Sequence, residues 1–434
     1  MKKLLVLLSV VLLQACGGGG GSAVATGGTG TSPTCSITDQ RQQVLGFMQD
    51  EYFWYSQMPA PNNNAATMDA YFQSMLFVPT DRFSYTETTQ SFTQLFDEGT
   101  FTGYGYTLEL TDATNNVLRV RIVEPKGPAA AAGLMRGDTI ITIDGFTPAQ
   151  IIAGAAASVT AEGVARTFVV RDTAGNTKTL PMMSATFALT PVRDVTVLNA
   201  TRNGLPVKVA YLGYTQFVTY SYNDLVAAVT SFVAQGASEL VLDMRYNGGG
   251  DIATSRDLGS LIGGARLVGQ VFTALHFNAK HQADNENFLF QSQPTSMPVL
   301  PRIVVIATGD TASASEMLIN GLKPFMDVVL VGDTTYGKPY GFDPFSYCGT
   351  TYNAVNFEVV NSQGVGGYTS GFAPTCPAND DFDHQLGDPN EGELKTALAY
   401  IATGACPQSP QVASLVANRK QTLGETIRPG MFRR

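Results

Sequence analysis

Two hydrophobic periods divide this chain. Between residues 37 and 55, Val44, Leu45, Met48, Phe53 and Trp54 recur at near-helical spacing, and residues 68–76 form a second short helical pattern. Asp81-Arg82-Phe83-Ser84-Tyr85 breaks it. From residue 101 a period of two takes over. Thr107-Leu108-Glu109-Leu110 alternates, 118–123 and 140–143 read as strands, and 129–134 reads as a short helix. Gly127-Pro128, Gly137-Asp138 and Asp144-Gly145 supply the turns. Residues 191–209 read as a connector with strand-like pieces. Then apolar strands and amphipathic helices alternate: strand 209–212, helix 224–235, strand 240–242, helix 252–262, strand 303–306, a helix through Met317, Leu318 and Leu322, and strand 328–331. Pro324 stops that last helix. Such alternation predicts a largely parallel α/β sheet.

The first residues change the picture of where the chain works. Lys2-Lys3 precedes an apolar run over 4–13 that is too short to span a membrane, the pattern of a signal peptide. It ends Leu13-Gln14-Ala15-Cys16, which resembles a bacterial lipobox and implies lipidation at Cys16. Gly17 after it implies outer-membrane sorting, in a cell envelope. Residues 16–34, rich in Gly, Ser and Thr, read as a flexible tether. The net charge is −9, and removal of Lys2 and Lys3 makes the chain more acidic still, which argues against a nucleic-acid partner. With Cys16 set aside, Cys35, Cys348, Cys376 and Cys406 form an even set that suggests disulfides in an exported protein. Cys348 with Cys376 and Cys35 with Cys406 is the expected pairing, though three are possible. No CxxC or CxxH spacing supports a metal.

The chemistry concentrates in residues 302–342. Ser313 falls where a strand turns into a helix, a place that supplies backbone N–H donors and a favourable dipole for negative charge. Ser313-Ala314-Ser315-Glu316 reads equally well as a capping box. Lys338 follows Gly332-Asp333-Thr334-Thr335-Tyr336-Gly337, which has the GxxxxGK spacing of a phosphate loop. Pro339 stands where such a loop needs Ser or Thr, so no nucleotide is implied. One helix and one strand separate Ser313 from Lys338, and that return can bring them together. A serine hydroxyl needs a base. A lysine at its ordinary pKa of roughly 10.4 cannot serve, and lowering it about three units costs roughly 4 kcal/mol. Val331, Tyr336, Tyr340 and Phe342 are apolar neighbours suited to doing so. His276, His281 and His384 offer a Ser-His alternative but lie in no recognisable motif.

Thr311-Ala312-Ser313-Ala314-Ser315-Glu316, then the run ending Tyr336-Gly337-Lys338, resembles the carboxyl-terminal processing (tail-specific) serine proteases. So does Asp243-Met244-Arg245-Tyr246-Asn247-Gly248-Gly249-Gly250, as do Asp81 to Tyr85 and Gly387-Asp388-Pro389 with a helix over 391–401. The Gly-Pro-Ala-Ala…Ala-Gly-Leu…Gly-Asp series of residues 127–138 resembles a PDZ domain. The resemblance implies a serine endopeptidase with Ser313 as nucleophile, Lys338 as general base, and an oxyanion hole from the N–H groups of Gly249 (Gly248 the near alternative) and Ala314. It implies an α/β multidomain chain: signal peptide 1–15, tether 16–34, N-terminal helical region 35–95, PDZ domain 96–188, crotonase/ClpP-like protease core 189–406 and tail 407–434. The PDZ loop Gly103, Tyr104, Gly105 and Tyr106 would hold the free C-terminus of a protein or peptide substrate. No cofactor is implied. One departure stands out: many members carry a glutamine four residues after the lysine, where this chain has Phe342, so Glu316 or Tyr336 is left to orient Lys338. The competing reading is a non-catalytic peptide-binding scaffold. The tail carries a helical pattern at 412–417 and Arg419, Lys420, Arg428, Arg433 and Arg434, which read as solvated.

Overall fold

The computed structural model describes residues 35–407, 422–424 and 430–433. The signal-peptide, tether and lipidation expectations and the 412–417 helix lie outside the described residues.

The framework is a six-stranded sheet. Its order is Cys376–Pro377, Asp327–Gly332, Arg302–Ala307, Glu239–Asp243, Leu205–Tyr214, Val192–Arg202, and all neighbours are parallel except the last pair. Both faces are covered, so the strands are apolar on both sides. Ala210, Leu212, Leu240, Leu242, Ile303 and Val305 pack against helices Tyr222–Ala234, Ile252–Gly263 and Ala314–Leu322. Tyr211, Val241, Val304, Ile306 and Val331 pack against helix Gly392–Thr403. The expected helices and strands of this part are therefore present, within a few residues of their expected ends.

Residues 191–209 are not a connector. Val192–Arg202 and Leu205–Tyr214 form one long antiparallel hairpin. Its two-residue turn is Asn203-Gly204, both at positive φ (51° and 79°), the turn that matches strand twist.

A smaller antiparallel sheet runs Tyr106–Asp112, Val117–Val123, Thr139–Ile143, Ala165–Arg171, Thr177–Met183, with its own core of Leu108, Leu118, Val120, Ile143, Phe168 and Val170. The short paired strands Thr100–Gly103 and Ala185–Ala188 lead in and out of it.

The N-terminal helices Ile37–Glu51 and Met68–Gln73 do not stand apart. Val44, Met48, Tyr52 and Phe72 share a core with Tyr352 and Val355. Strand Tyr85–Thr88 pairs with Thr350–Asn353. The disulfides correct the expected pairing: Cys35 bonds Cys348 and Cys376 bonds Cys406. The first clamps the start of the first helix to the hairpin on which that helix lies, with Phe47 stacked on Phe345. The second joins the edge strand to the chain just past the helix that covers it. No helix among the described residues is long and apolar enough to cross a membrane.

Candidate active site

Three segments meet at the carboxyl ends of the parallel strands. Strand Glu239–Asp243 runs into Met244 to Gly250, strand Arg302–Ala307 into the turn before Ser313, and strand Asp327–Gly332 into the Lys338 loop. Ligand sites sit at such ends in open α/β sheets.

Ser313 is the residue before helix Ala314–Leu322, at φ 63° and ψ −116°. Few non-glycine residues adopt such a backbone, and where they do the surrounding structure must hold it. Asn247 does much of the holding. Its carbonyl accepts the Ala312 N–H at 3.0 Å and the Ser315 hydroxyl at 3.0 Å, and its side-chain amide donates to the Tyr214 carbonyl. Ser313 is fully buried, and its hydroxyl has no hydrogen-bond partner among the described residues.

Glu316 binds the two halves of the site together. One oxygen accepts the Ser313 N–H at 3.0 Å and the Lys338 N–H at 2.8 Å. The other accepts the Gly337 N–H at 2.7 Å and the Thr335 hydroxyl at 2.5 Å. The expected capping box is present: Glu316 accepts the Ser313 N–H, and the Ser313 side chain faces the Glu316 N–H without completing a hydrogen bond. Burial pushes the Glu316 carboxyl up, and these four donors oppose that.

Lys338 is almost wholly buried. Its Nζ lies 4.8 Å from the Phe342 ring centre and 5.7 Å from that of Tyr85, and it donates to the Phe83 carbonyl at 3.5 Å. Burial drives its pKa down to about 7, with Asp81 and Glu316 pulling it back up and Arg82 pushing it further down. Phe342 therefore does not leave a gap where a glutamine was expected. It forms one wall of the apolar pocket whose burial lowers the pKa of the amine. Of the two candidates to orient Lys338, Glu316 holds its backbone; Tyr336 instead packs against Phe83 and offers its carbonyl to Arg82.

Gly249 lies against the serine. A Cβ on it would sit 2.7 Å from Ser313 Cβ and 2.8 Å from Ala314 N, at a φ of 106°. Ala314 N–H is among the first of its helix and has no acceptor within it. The Gly249 N–H donates to Asn247 Oδ1 at 2.9 Å in this conformation.

Two residues inside the family-like stretches contribute without having an expected role of their own. Asp81 is buried and accepts from Tyr52 hydroxyl at 2.7 Å, Phe83 N–H and Ser84 N–H, which fixes the loop that caps Lys338. Asn247 lies in the 243–250 stretch that resembles the family, where only the glycines carry an expected role. In the smaller domain, Gly103 pairs with Ala185, Tyr104 is buried and donates to the Val164 carbonyl, Gly105 takes φ 81°, and Tyr106 opens the first long strand. The neighbouring strand Val117–Val123 meets the turn before Ser313: Arg121 pairs with Asp310 at 2.6 Å, three residues before Ser313.

Carboxylates cluster twice among the described residues. Asp380, Glu391 and Glu393 are close enough to hold a metal, but the Arg245 guanidinium fills their midst. Asp50, Glu51 and His281 lie at the surface. His276 and His384 join neither the serine nor the lysine; His384 pairs with Asp381.

With this geometry in hand, the comparisons are specific. Residues 208–362 match the model of peptidase family S41, and residues 39–85 match its N-terminal domain. The core carries the S41 peptidase fold. Curated relatives include a chloroplastic C-terminal processing peptidase of Tetradesmus obliquus, 28% identical over 249 residues, covering 55% of this chain and 52% of the relative. A carboxyl-terminal-processing protease of Picosynechococcus is 30% identical over 244 residues, covering 55% of each. The chain spans about half the length of these relatives. A crystal structure of a candidate S41 protease from Bacteroides fragilis superposes with a TM-score of 0.67 at 26% identity, over 83% of this chain and 96% of that one. The photosystem II D1 C-terminal processing protease shares the fold, with a TM-score of 0.51 at 19% identity over 85% and 99%.

Proposed function

We propose that this S41 protein is a serine endopeptidase working through a Ser313–Lys338 dyad. The observation that carries the reading is the shared Glu316 carboxylate, which fixes the nucleophile's turn and the lysine's loop while an aromatic pocket brings the amine to a pKa of about 7. A general base is most effective near the working pH. Ser313 Oγ attacks the scissile carbonyl as its proton passes to neutral Lys338 Nζ. The tetrahedral oxyanion is held by the Ala314 N–H and a glycine N–H of the 248–250 stretch, Gly249 once it leaves Asn247, or Gly248. The ammonium of Lys338 then protonates the leaving amine. Water, giving its proton to Lys338, releases the acyl group. No cofactor or metal enters these steps.

The smaller domain is read as a PDZ domain that takes the free C-terminus of a protein or peptide substrate at Gly103 to Tyr106 and pairs it with strand Tyr106–Asp112. The N-terminal pattern is read as a lipoprotein signal, with Cys16 lipidated and the enzyme held at the envelope. Cleavage of an unstructured peptide with a free apolar C-terminus tests the dyad. Wild type should cut it, and Ser313→Ala and Lys338→Ala should not. Cleavage that survives both substitutions overturns the dyad; peptide binding without cleavage by wild type supports a scaffold instead.

A further inference from the structure

The late segments of this chain occupy the two surfaces on which the proposed function depends. Strand Thr422–Gly424 adds antiparallel to the edge strand Tyr106–Asp112 of the smaller domain, pairing Leu423 with Leu108 and Gly424 with Thr107. That is the groove assigned above to substrate, and Leu423 packs against the domain's own core. Strand Gly430–Phe432 lies parallel to Gly249–Asp251, in register Gly249 to Gly430, Gly250 to Met431 and Asp251 to Phe432.

The second strand runs beside the glycine stretch that abuts the serine. Gly430 N–H donates to the Gly248 carbonyl at 3.1 Å. A Cβ on Gly249 would meet the Gly430 carbonyl oxygen at 2.3 Å and Ser313 Cβ at 2.7 Å, so both approach the same side of Gly249. A Cβ on Gly430 would lie 3.3 Å from Phe342 and from the Tyr85 hydroxyl, the aromatic walls of the Lys338 pocket. On its other edge, Phe342 N–H donates to the Met431 carbonyl at 2.9 Å and Arg433 N–H to the Phe342 carbonyl at 3.3 Å. Met431 and Phe432 are buried, Phe432 against Phe96 with ring centres 4.4 Å apart. Arg433 pairs with Asp343 at 2.7 Å, so it is not the solvated charge expected from sequence. With this strand in place, Ser313 is 0% exposed and Lys338 1%.

Polarity tells inhibitor from substrate. A substrate held by its C-terminus on the smaller domain presents an earlier segment to the serine. Here the order is reversed: 422–424 sits on the domain and 430–432, later in the chain, sits at the serine.

Resting on the peptidase reading, we infer that residues 422–424 and 430–433 are a built-in inhibitor that competes with substrate at both the edge-strand groove and the catalytic cleft. Paired backbone on two edges gives affinity without demanding a particular sequence, and being in the same chain raises its effective concentration.

The test compares the full chain with one ending after Cys406, which keeps both disulfides. Two readouts are used: cleavage of the apolar-ended peptide, and binding of a fluorescent synthetic peptide of residues 420–434 to Ser313→Ala versions of both. The shortened chain should cleave at least tenfold faster, bind the 420–434 peptide at least tenfold tighter than the full chain, and be inhibited by that peptide added in trans. Arg433→Glu, which sets like charges beside Asp343 and Glu286, should give a smaller activation in an otherwise whole chain, and it decides the matter should the shortened chain not fold. A folded shortened chain that neither cleaves faster nor binds the peptide overturns the inference. So does mass spectrometry showing the 422–433 region cut in wild type but intact in Ser313→Ala, since the segment would then be a substrate. Peptide uptake by the shortened chain with no cleavage by any form would retain the occupancy and sink the peptidase reading alone.

Discussion

The Lys338 N–H donates to Glu316 Oε2 at 2.8 Å, and that same oxygen accepts the Ser313 N–H at 3.0 Å. A glutamine at 316 would keep one acceptor and turn an NH2 toward two of the four donors. Each buried donor left unsatisfied costs about 1–3 kcal/mol. Glu316→Gln is therefore expected to lower stability by roughly 2–6 kcal/mol and kcat by a hundredfold or more, because Ser313 and Lys338 lose their common anchor. Thermal melts and peptide cleavage measure the two effects; a stable, fully active Glu316→Gln protein would show that the carboxylate does not organise the site.

Lys338 makes stability and activity depend on pH in a defined sense. Its folded pKa is about 7, against an ordinary 10.5. Between those values the unfolded chain holds a proton that the folded chain lacks, so stability rises with pH through this window. Below pH 7 the buried amine costs up to roughly 5 kcal/mol at 1.36 per unit. Lys338→Met should accordingly melt higher than wild type at pH 6, with the gap closing toward pH 10. Under the proposed dyad, activity of the wild type should climb with pH through about 7 as Lys338 loses its proton. A pH-independent difference in melting temperature would mean that the lysine is not buried charged.

Much of the core was legible because its strands are buried on both faces and its helices are amphipathic, so periodicity placed them. Ser313 and Lys338 stood out through their local patterns. What escaped was whatever depends on distant segments meeting. The Asn203-Gly204 hairpin was readable in principle from its two turn residues, but the flanking strands lack clean alternation. The cysteine pairing could not follow from spacing, since Cys35 meets Cys348 only because the first helix lies on the 345–353 hairpin. Phe342 looked like a loss when judged as a missing hydrogen-bonding side chain; its worth is as an apolar wall. Asp81 and residues 430–433 reach the site from opposite ends of the chain, and no local pattern announces that.

Asp81 should tune the base without touching it. Its charge raises the Lys338 pKa, while its oxygens hold Tyr52, Phe83 and Ser84. Asp81→Asn keeps most of the size and some of the acceptor capacity but removes the charge. The acidic limb of the pH–rate profile should move below that of wild type. Stability should fall by about 1–3 kcal/mol as one buried donor loses its acceptor. An unshifted limb would remove Asp81 from the electrostatics of the lysine.

Ser313 itself offers the last check, because its backbone and its hydroxyl make separable demands. At φ 63° and ψ −116° a side chain is strained, and holding such a residue costs on the order of 1–3 kcal/mol. Alanine keeps that strain, whereas glycine relieves it and gives back about 0.5–1 kcal/mol in chain entropy. Ser313→Ala and Ser313→Gly should both be inactive, with the glycine variant the more stable by about 1 kcal/mol. Denaturant melts of the two inactive proteins at one pH make the comparison, and neither alters the charge of the site. If alanine proved the more stable, the turn would not be strained, and the hold of Asn247 and Glu316 on it would need another purpose.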